Sequence, residues 1–255
     1  MEKENKRRWY SIAYIVCVVL LLSSIPFSML INNEIISFIL TTSLKIIATL
    51  YLFYYIKKDG LDKPLLEKHK KRNLLLIPLI ILPLSNIFVA LFTNLKLNEA
   101  ISYFNIISGI IDAIIVSIYE EILFRGLVFN ELLKTKKVNI AIIIQALIFG
   151  SIHLLNINSL GSVPFILAQV IYTAYLGVIL GIIYFKTKNI IYPIIFHLLF
   201  NVFNNVISVN LFIINWDYKF FLINILIGII TFIYAIYYFK GDDNHVARNL
   251  DIWYL

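Results

Sequence analysis

A single cysteine, Cys17, in 255 residues excludes a disulfide within the chain and any cysteine-built metal cluster. It falls in the first apolar run and reads as a small hydrophobe. Long polar stretches are also missing. The longest joint between apolar runs is KKDGLDKPLLEKHKKR, residues 57–72, too short for a separate soluble domain. No internal repeat or low-complexity tract is present. The opening run from Trp9 to about Ile31 has no A-x-A-like site and exceeds a signal-peptide core in length, so it is expected to stay as a first helix. Missing motifs narrow the chemistry further. There is no H-E-x-x-H of a zincin. There is no G-x-S-x-G nucleophile elbow, and no cysteine accompanies the histidines.

Apolar residues dominate instead. They make up 60% of the chain, against about 45–50% in soluble domains. The mean hydropathy is +0.86. Apolar segments fall at 9–31, 35–56, 73–94, 105–133, 138–157, 164–185, 189–209 and 217–239, each near the length a bilayer demands. The expected architecture is all-α: one transmembrane domain over 1–255, of about eight helices, in a multi-pass membrane protein.

Charge supplies the orientation. Eighteen of the 22 Lys and Arg residues lie in alternate joints: the N-terminus, 57–72, 134–137, Lys186 with Lys188, and Lys240 with Arg248. The other joints hold only Lys96 and Lys219. Eight spans with both termini inside satisfy the positive-inside rule at every joint. The net charge of +7 is therefore a topology signal. Nucleic acid is not an expected partner, because binding it requires basic residues gathered on one surface. The 57–72 cluster suits contact with anionic lipid headgroups.

Lys45 and Arg125 remain, inside apolar segments, with Asp112, Glu120, Glu121, His153, His197 and the neutral Asn201. Ionisable groups within a membrane are costly and mark function by default. Glu121 and Arg125 are four apart, acid first, the order that favours an ion pair on one helix. Glu120 points about 100° away and has no obvious local partner. His197 and Asn201 are also four apart and share a face. On a straight α-helix Glu120 lies roughly 21 Å from Lys134, and His153 roughly 22 Å from Val138. Asn201 lies roughly 20 Å, and His197 roughly 14 Å, from Lys188. Polar groups from three helices thus share one slab of membrane. A structural ion-pair knot is the competing explanation for the charges of 119–126.

A carboxylate, two imidazoles and a carboxamide suit hydrolysis by water. Glu120 can act as general base, and His153 can hold the water or shuttle its proton. His197 and Asn201 can donate to the oxyanion of a tetrahedral intermediate. Alternatively Glu120, His153 and His197 could bind zinc and leave a position for water. These residues do not separate the two mechanisms.

Glu120-Glu121-x-x-x-Arg125, Phe149-x-x-x-His153 and His197-x-x-x-Asn201 resemble, in order, the motifs of the CPBP family. That family comprises CAAX-processing endopeptidases and bacteriocin-processing or immunity proteins, also called Abi. The resemblance covers about 105–209, and Gly126 fits it too. It implies an intramembrane endopeptidase with a polar cavity in the helix bundle. The glutamate matching Glu120 is the base, the histidine matching His153 its assistant, and His197 with Asn201 the oxyanion support; Glu121 and Arg125 are supporting. No cofactor is favoured, with zinc as the alternative. The Ile, Asn and Lys bias is that of an AT-rich genome, so a bacterial plasma membrane and an unprenylated substrate are expected. Such substrates are hydrophobic peptides, pheromones, bacteriocins or membrane-protein tails. A non-proteolytic immunity or scaffold protein and a small transporter are the other classes weighed. Lys45 is read as paired or snorkelling, and Asp112 as solvated or capping. Tyr119, Tyr172, Tyr175 and Asn205 are read as cavity-lining. His69 and His245 are expected to be exposed, and GDDN at 241–244 lacks the partner of an aspartyl protease motif.

Overall fold

The computed structural model describes residues 2–23, 25, 27–58, 79–93, 96–158, 163–211 and 218–240. Among them no strand occurs, and every element is helical. His69, His245, GDDN at 241–244 and most of the 57–72 joint lie outside the described residues. Helices occupy all eight apolar segments: α1 (Glu2–Ser23), α2 (Phe27–Leu30), α3 (Glu34–Lys58), α4 (Ser85–Thr93), α5 (Tyr103–Glu121), α6 (Asn130–Leu133), α7 (Val138–Ser151), α8 (Val163–Thr187), α9 (Ile191–Phe200), α10 (Ser208–Leu211) and α11 (Tyr218–Lys240). Four stretches are long and apolar enough to cross a membrane: Glu34–Lys58, Val138–Leu155, Gln169–Thr187 and Ile191–Leu211. Trp9–Leu21 and Ile223–Phe239 are shorter apolar helices.

Two rods are not plain α-helix. A π-helix, Ile122–Phe129, joins α5 to α6, and a second, Asn201–Ile207, joins α9 to α10. A 3₁₀ turn, Ile152–Asn158, follows α7. π-Helices are rare and concentrate at functional sites. Both begin at or next to a motif: the first directly after Glu121, the second at Asn201. The even rise of 1.5 Å per residue assumed for the depths therefore fails across 122–129, where i→i+5 winding replaces i→i+4.

The chain forms two compact units, one of 1–66 with 114–181, the other of 67–113 with 182–255. In the first, the Ile122–Phe129 π-helix is the hub. All eight of its residues are buried, and α1, α3 and α7 pack against it. Asn33 starts α3 by accepting the Ile36 N–H at 3.0 Å. Lys57 and Lys58 close that helix, the sign its C-terminal dipole favours. α7 and α8 meet along small residues. A Cβ on Gly150 would stand 2.6 Å from the Ala174 Cβ and 2.7 Å from the Val170 carbonyl oxygen. A Cβ on Gly177 would stand 2.9 Å from the Ala146 Cα. This is how membrane helices gain packing contacts without a hydrophobic drive.

In the second unit, Asn204 ties its rod to α4. Its side-chain oxygen accepts from the Asn86 N–H at 3.1 Å and the Ser85 hydroxyl at 3.4 Å. Its amide donates to the Leu82 carbonyl at 3.3 Å. A distant residue thus satisfies orphan donors at the start of α4. α4 also packs on α11. α8 turns into α9 at Lys188, whose φ is +50°. The Lys188 N–H returns to the Tyr184 carbonyl at 2.8 Å, and the Asn189 side chain accepts the Ile191 N–H at 2.9 Å.

Candidate active site

Glu121 and Arg125 are both fully buried, at 0% exposure. Arg125 Nη1 donates to Glu121 Oε1 at 2.8 Å, as the four-residue spacing predicts. Burying two charges carries a desolvation penalty that a pair alone does not always repay. Here more is added. Arg125 Nη2 donates to the Gly177 carbonyl at 3.2 Å, and the guanidinium lies over the Phe149 ring, 4.7 Å from its centroid.

Glu120 is 5% exposed. Its expected isolation from any local partner is corrected by the structure. The Tyr119 hydroxyl donates to Glu120 Oε1 at 3.1 Å. Adjacent side chains diverge on a helix, but a tyrosine is long enough to fold its hydroxyl back to its neighbour. Arg125 also feels the Glu120 charge. From α8, the Tyr172 hydroxyl, which pairs with the Gln169 side chain, interacts electrostatically with Glu120. Of the two tyrosines, Tyr119 contacts this carboxylate directly, and Tyr172 feels its charge.

Phe149 connects the first two motifs. Its ring is 1% exposed. It meets Phe124 edge-on at 5.0 Å and His153 edge-on at 5.6 Å, with Arg125 over its face. His153, half-buried, stands on the 3₁₀ turn after α7. Arg125, Phe149 and His153 thus form one continuous stack, and the FxxxH spacing is the means by which α7 presents it.

One residue was missed in the sequence. Gln145 is fully buried, and its Nε2 donates to the Gly177 carbonyl at 2.8 Å and the Ile142 carbonyl at 3.1 Å. The Gly177 oxygen therefore receives Arg125 from one element and Gln145 from another. Two signals were legible. One is a lone Gln in an apolar segment; the other is Gly177-x-x-x-Gly181, a small-residue pattern for close helix approach. A search restricted to ionisable groups passes over both.

His197 and Asn201 belong to the second unit. His197 is 4% exposed on α9. Asn201 opens the second π-helix. Its side-chain oxygen accepts the Asn205 amide at 3.1 Å, which turns its own amide hydrogens the other way. Lys45 and Asp112 are half-buried on α3 and α5. Among the described residues, no three His, Cys, Asp or Glu side chains are disposed as ligands of one metal ion.

Residues 102–203 match the family model described as Type II CAAX prenyl endopeptidase Rce1-like. All three motifs lie inside that stretch. The match agrees with the CPBP resemblance read from the motifs. No curated protein matches the chain.

Proposed function

We propose, from the match of residues 102–203 to the Rce1-like family model, that the protein is an intramembrane endopeptidase that cleaves hydrophobic or membrane-associated peptides by glutamate-activated water. The observation that carries the reading is the contrast between adjacent acids. Glu121 pairs with the Arg125 guanidinium at 2.8 Å, whereas Glu120 accepts a hydrogen bond from the neutral Tyr119 hydroxyl, a setting that suits a general base.

In this mechanism Glu120 removes a proton from water as its oxygen attacks the scissile carbonyl. The C–O bond forms and the carbonyl π pair moves onto oxygen. His153 orients the water. His197 and Asn201 hold the oxyanion role by their place in the family motif. As the intermediate collapses, the C–N bond breaks and Glu120 returns its proton to the leaving amine. The stack through Phe149 holds His153, and Arg125 keeps Glu121 from competing for the same proton. The substrates proposed are unprenylated, as expected for a bacterial membrane.

The test is hydrolysis of a panel of hydrophobic peptides by the purified protein. Glu120→Gln is expected to lower kcat/KM by roughly 10²–10⁴, and Asn201→Ala by about 10²–10³. Hydrolysis that persists in both Glu120→Gln and His153→Ala rejects the mechanism. Activity lost to a chelator and restored by zinc rejects the glutamate form. Cell protection that survives Glu120→Gln points to an immunity protein instead.

A further inference from the structure

A cavity between α1 and α3, outside every motif above, has no assigned role. The two helices pack on each other, and Ile12, Ile15 and Val19 on α1 and Ala48, Leu52 and Ile56 on α3 are buried. Between residues 10–15 of α1 and the end of α3 lies an open cavity of about 470 Å³. Its wall includes Tyr10, Tyr14, Tyr51, Tyr54, Tyr55 and Lys58. From this geometry we infer a binding site for the phosphate-bearing headgroup of an anionic phospholipid.

Three observations select that occupant. The first is charge. Lys58 lies in the wall, its Nζ 6.0 Å from the Tyr54 ring centroid, and no acidic side chain is among the described residues of that wall. Lys57 precedes Lys58 in the sequence. A cationic headgroup would meet repulsion here. The second is chemistry. Tyrosine combines an apolar ring with a hydroxyl donor, and it concentrates where a bilayer meets water. Five around one cavity present hydroxyls to a phosphate and rings to glycerol and the first methylenes. The third is the surroundings. Beside the cavity, Ile46, Ile47 and Leu50 on α3 and Leu21 on α1 are exposed, an apolar surface along which acyl chains can lie.

The site does not rest on the proteolytic reading, and its test needs no turnover. The full chain in neutral detergent is titrated with phosphatidylglycerol or phosphatidylcholine, and bound lipid is counted by native mass spectrometry. Phosphatidylglycerol is expected to bind saturably and to be preferred. Lys58→Gln is expected to weaken it about fivefold, and Tyr14→Leu to weaken it as well. Lys136→Gln removes the same charge from an exposed position elsewhere and is expected to leave the affinity within twofold. Lys58 and Tyr14 are both exposed, so an unchanged thermal midpoint in phosphatidylcholine verifies the fold of each variant. Equal weakening by Lys58→Gln and Lys136→Gln means charge adsorption alone and overturns the site. Equal affinity for the two lipids overturns it too. Full competition by water-soluble glycerol phosphate at the lipid's own concentration reassigns the cavity to a free phosphate and rejects the lipid.

Discussion

At the residue scale, the charges of YEEILFRG divide by partner, Glu121 with Arg125 and Glu120 with the Tyr119 hydroxyl. Arg125 has an ion pair, a carbonyl and an aromatic face. Removing it leaves Glu121 charged, buried and uncompensated. Arg125→Met is expected to cost about 3–5 kcal/mol, read as a large fall in thermal midpoint in detergent. The double variant Glu121→Leu with Arg125→Met removes both charges and is expected to regain much of that loss. If the double variant is as unstable as the single one, the pair is not what the buried arginine is for. Glu120→Gln keeps the shape of the side chain and its acceptor for Tyr119. It is expected to fold like the parent while losing activity. The pairing of Glu121 with Arg125 was legible from a spacing of four, because helix geometry alone brings those side chains together. The Tyr119 contact was not. Neighbours in sequence point apart on a helix, and only the packed environment decides where a long side chain bends.

At the element scale, local winding and close approach carry the site. The Gly150 position has almost no room, and the atoms in the way include the Ala174 Cα and the Val170 carbonyl, which cannot move without the helix. Gly150→Ala is expected to destabilise by about 1–3 kcal/mol. At Gly181 the obstruction is the end of the Gln145 side chain, 2.6 Å from a Cβ. That side chain can rotate, so Gly181→Ala is expected to cost less. Thermal unfolding of the two variants checks the order, and a reversed order contradicts the close packing of α7 on α8. In the other unit, Asn204→Ala removes the acceptor shared by Ser85 and Asn86. It is expected to cost about 0.5–2 kcal/mol. Helix positions were legible because apolar runs separated by short polar joints have few other solutions in lipid. The π-helices were not. An i→i+5 turn has no composition of its own, so residue spacing does not mark it.

At the scale of the whole molecule, the distribution of basic residues predicts the topology. Eight spans with both termini inside place the 134–137 joint and Lys96 on opposite sides of the membrane. With Cys17 changed to Ser, a cysteine at Lys136 is expected to react with an impermeant thiol reagent only from the inner side, and one at Lys96 only from the outer. Both positions are exposed. Labelling of both from one side rejects the topology. By itself the sequence determined the class, the helix positions, the Glu121–Arg125 pair and the three motifs that the family match covers. These follow from composition, from the helical period and from residue order, none of which requires knowing what packs on what. The tertiary structure alone decided that Tyr119 holds Glu120, that Phe149 joins Arg125 to His153, and that Gln145 and Arg125 share the Gly177 carbonyl. Each of these depends on the distance between side chains on different elements or on how a side chain bends in a packed interior, and linear spacing does not encode either.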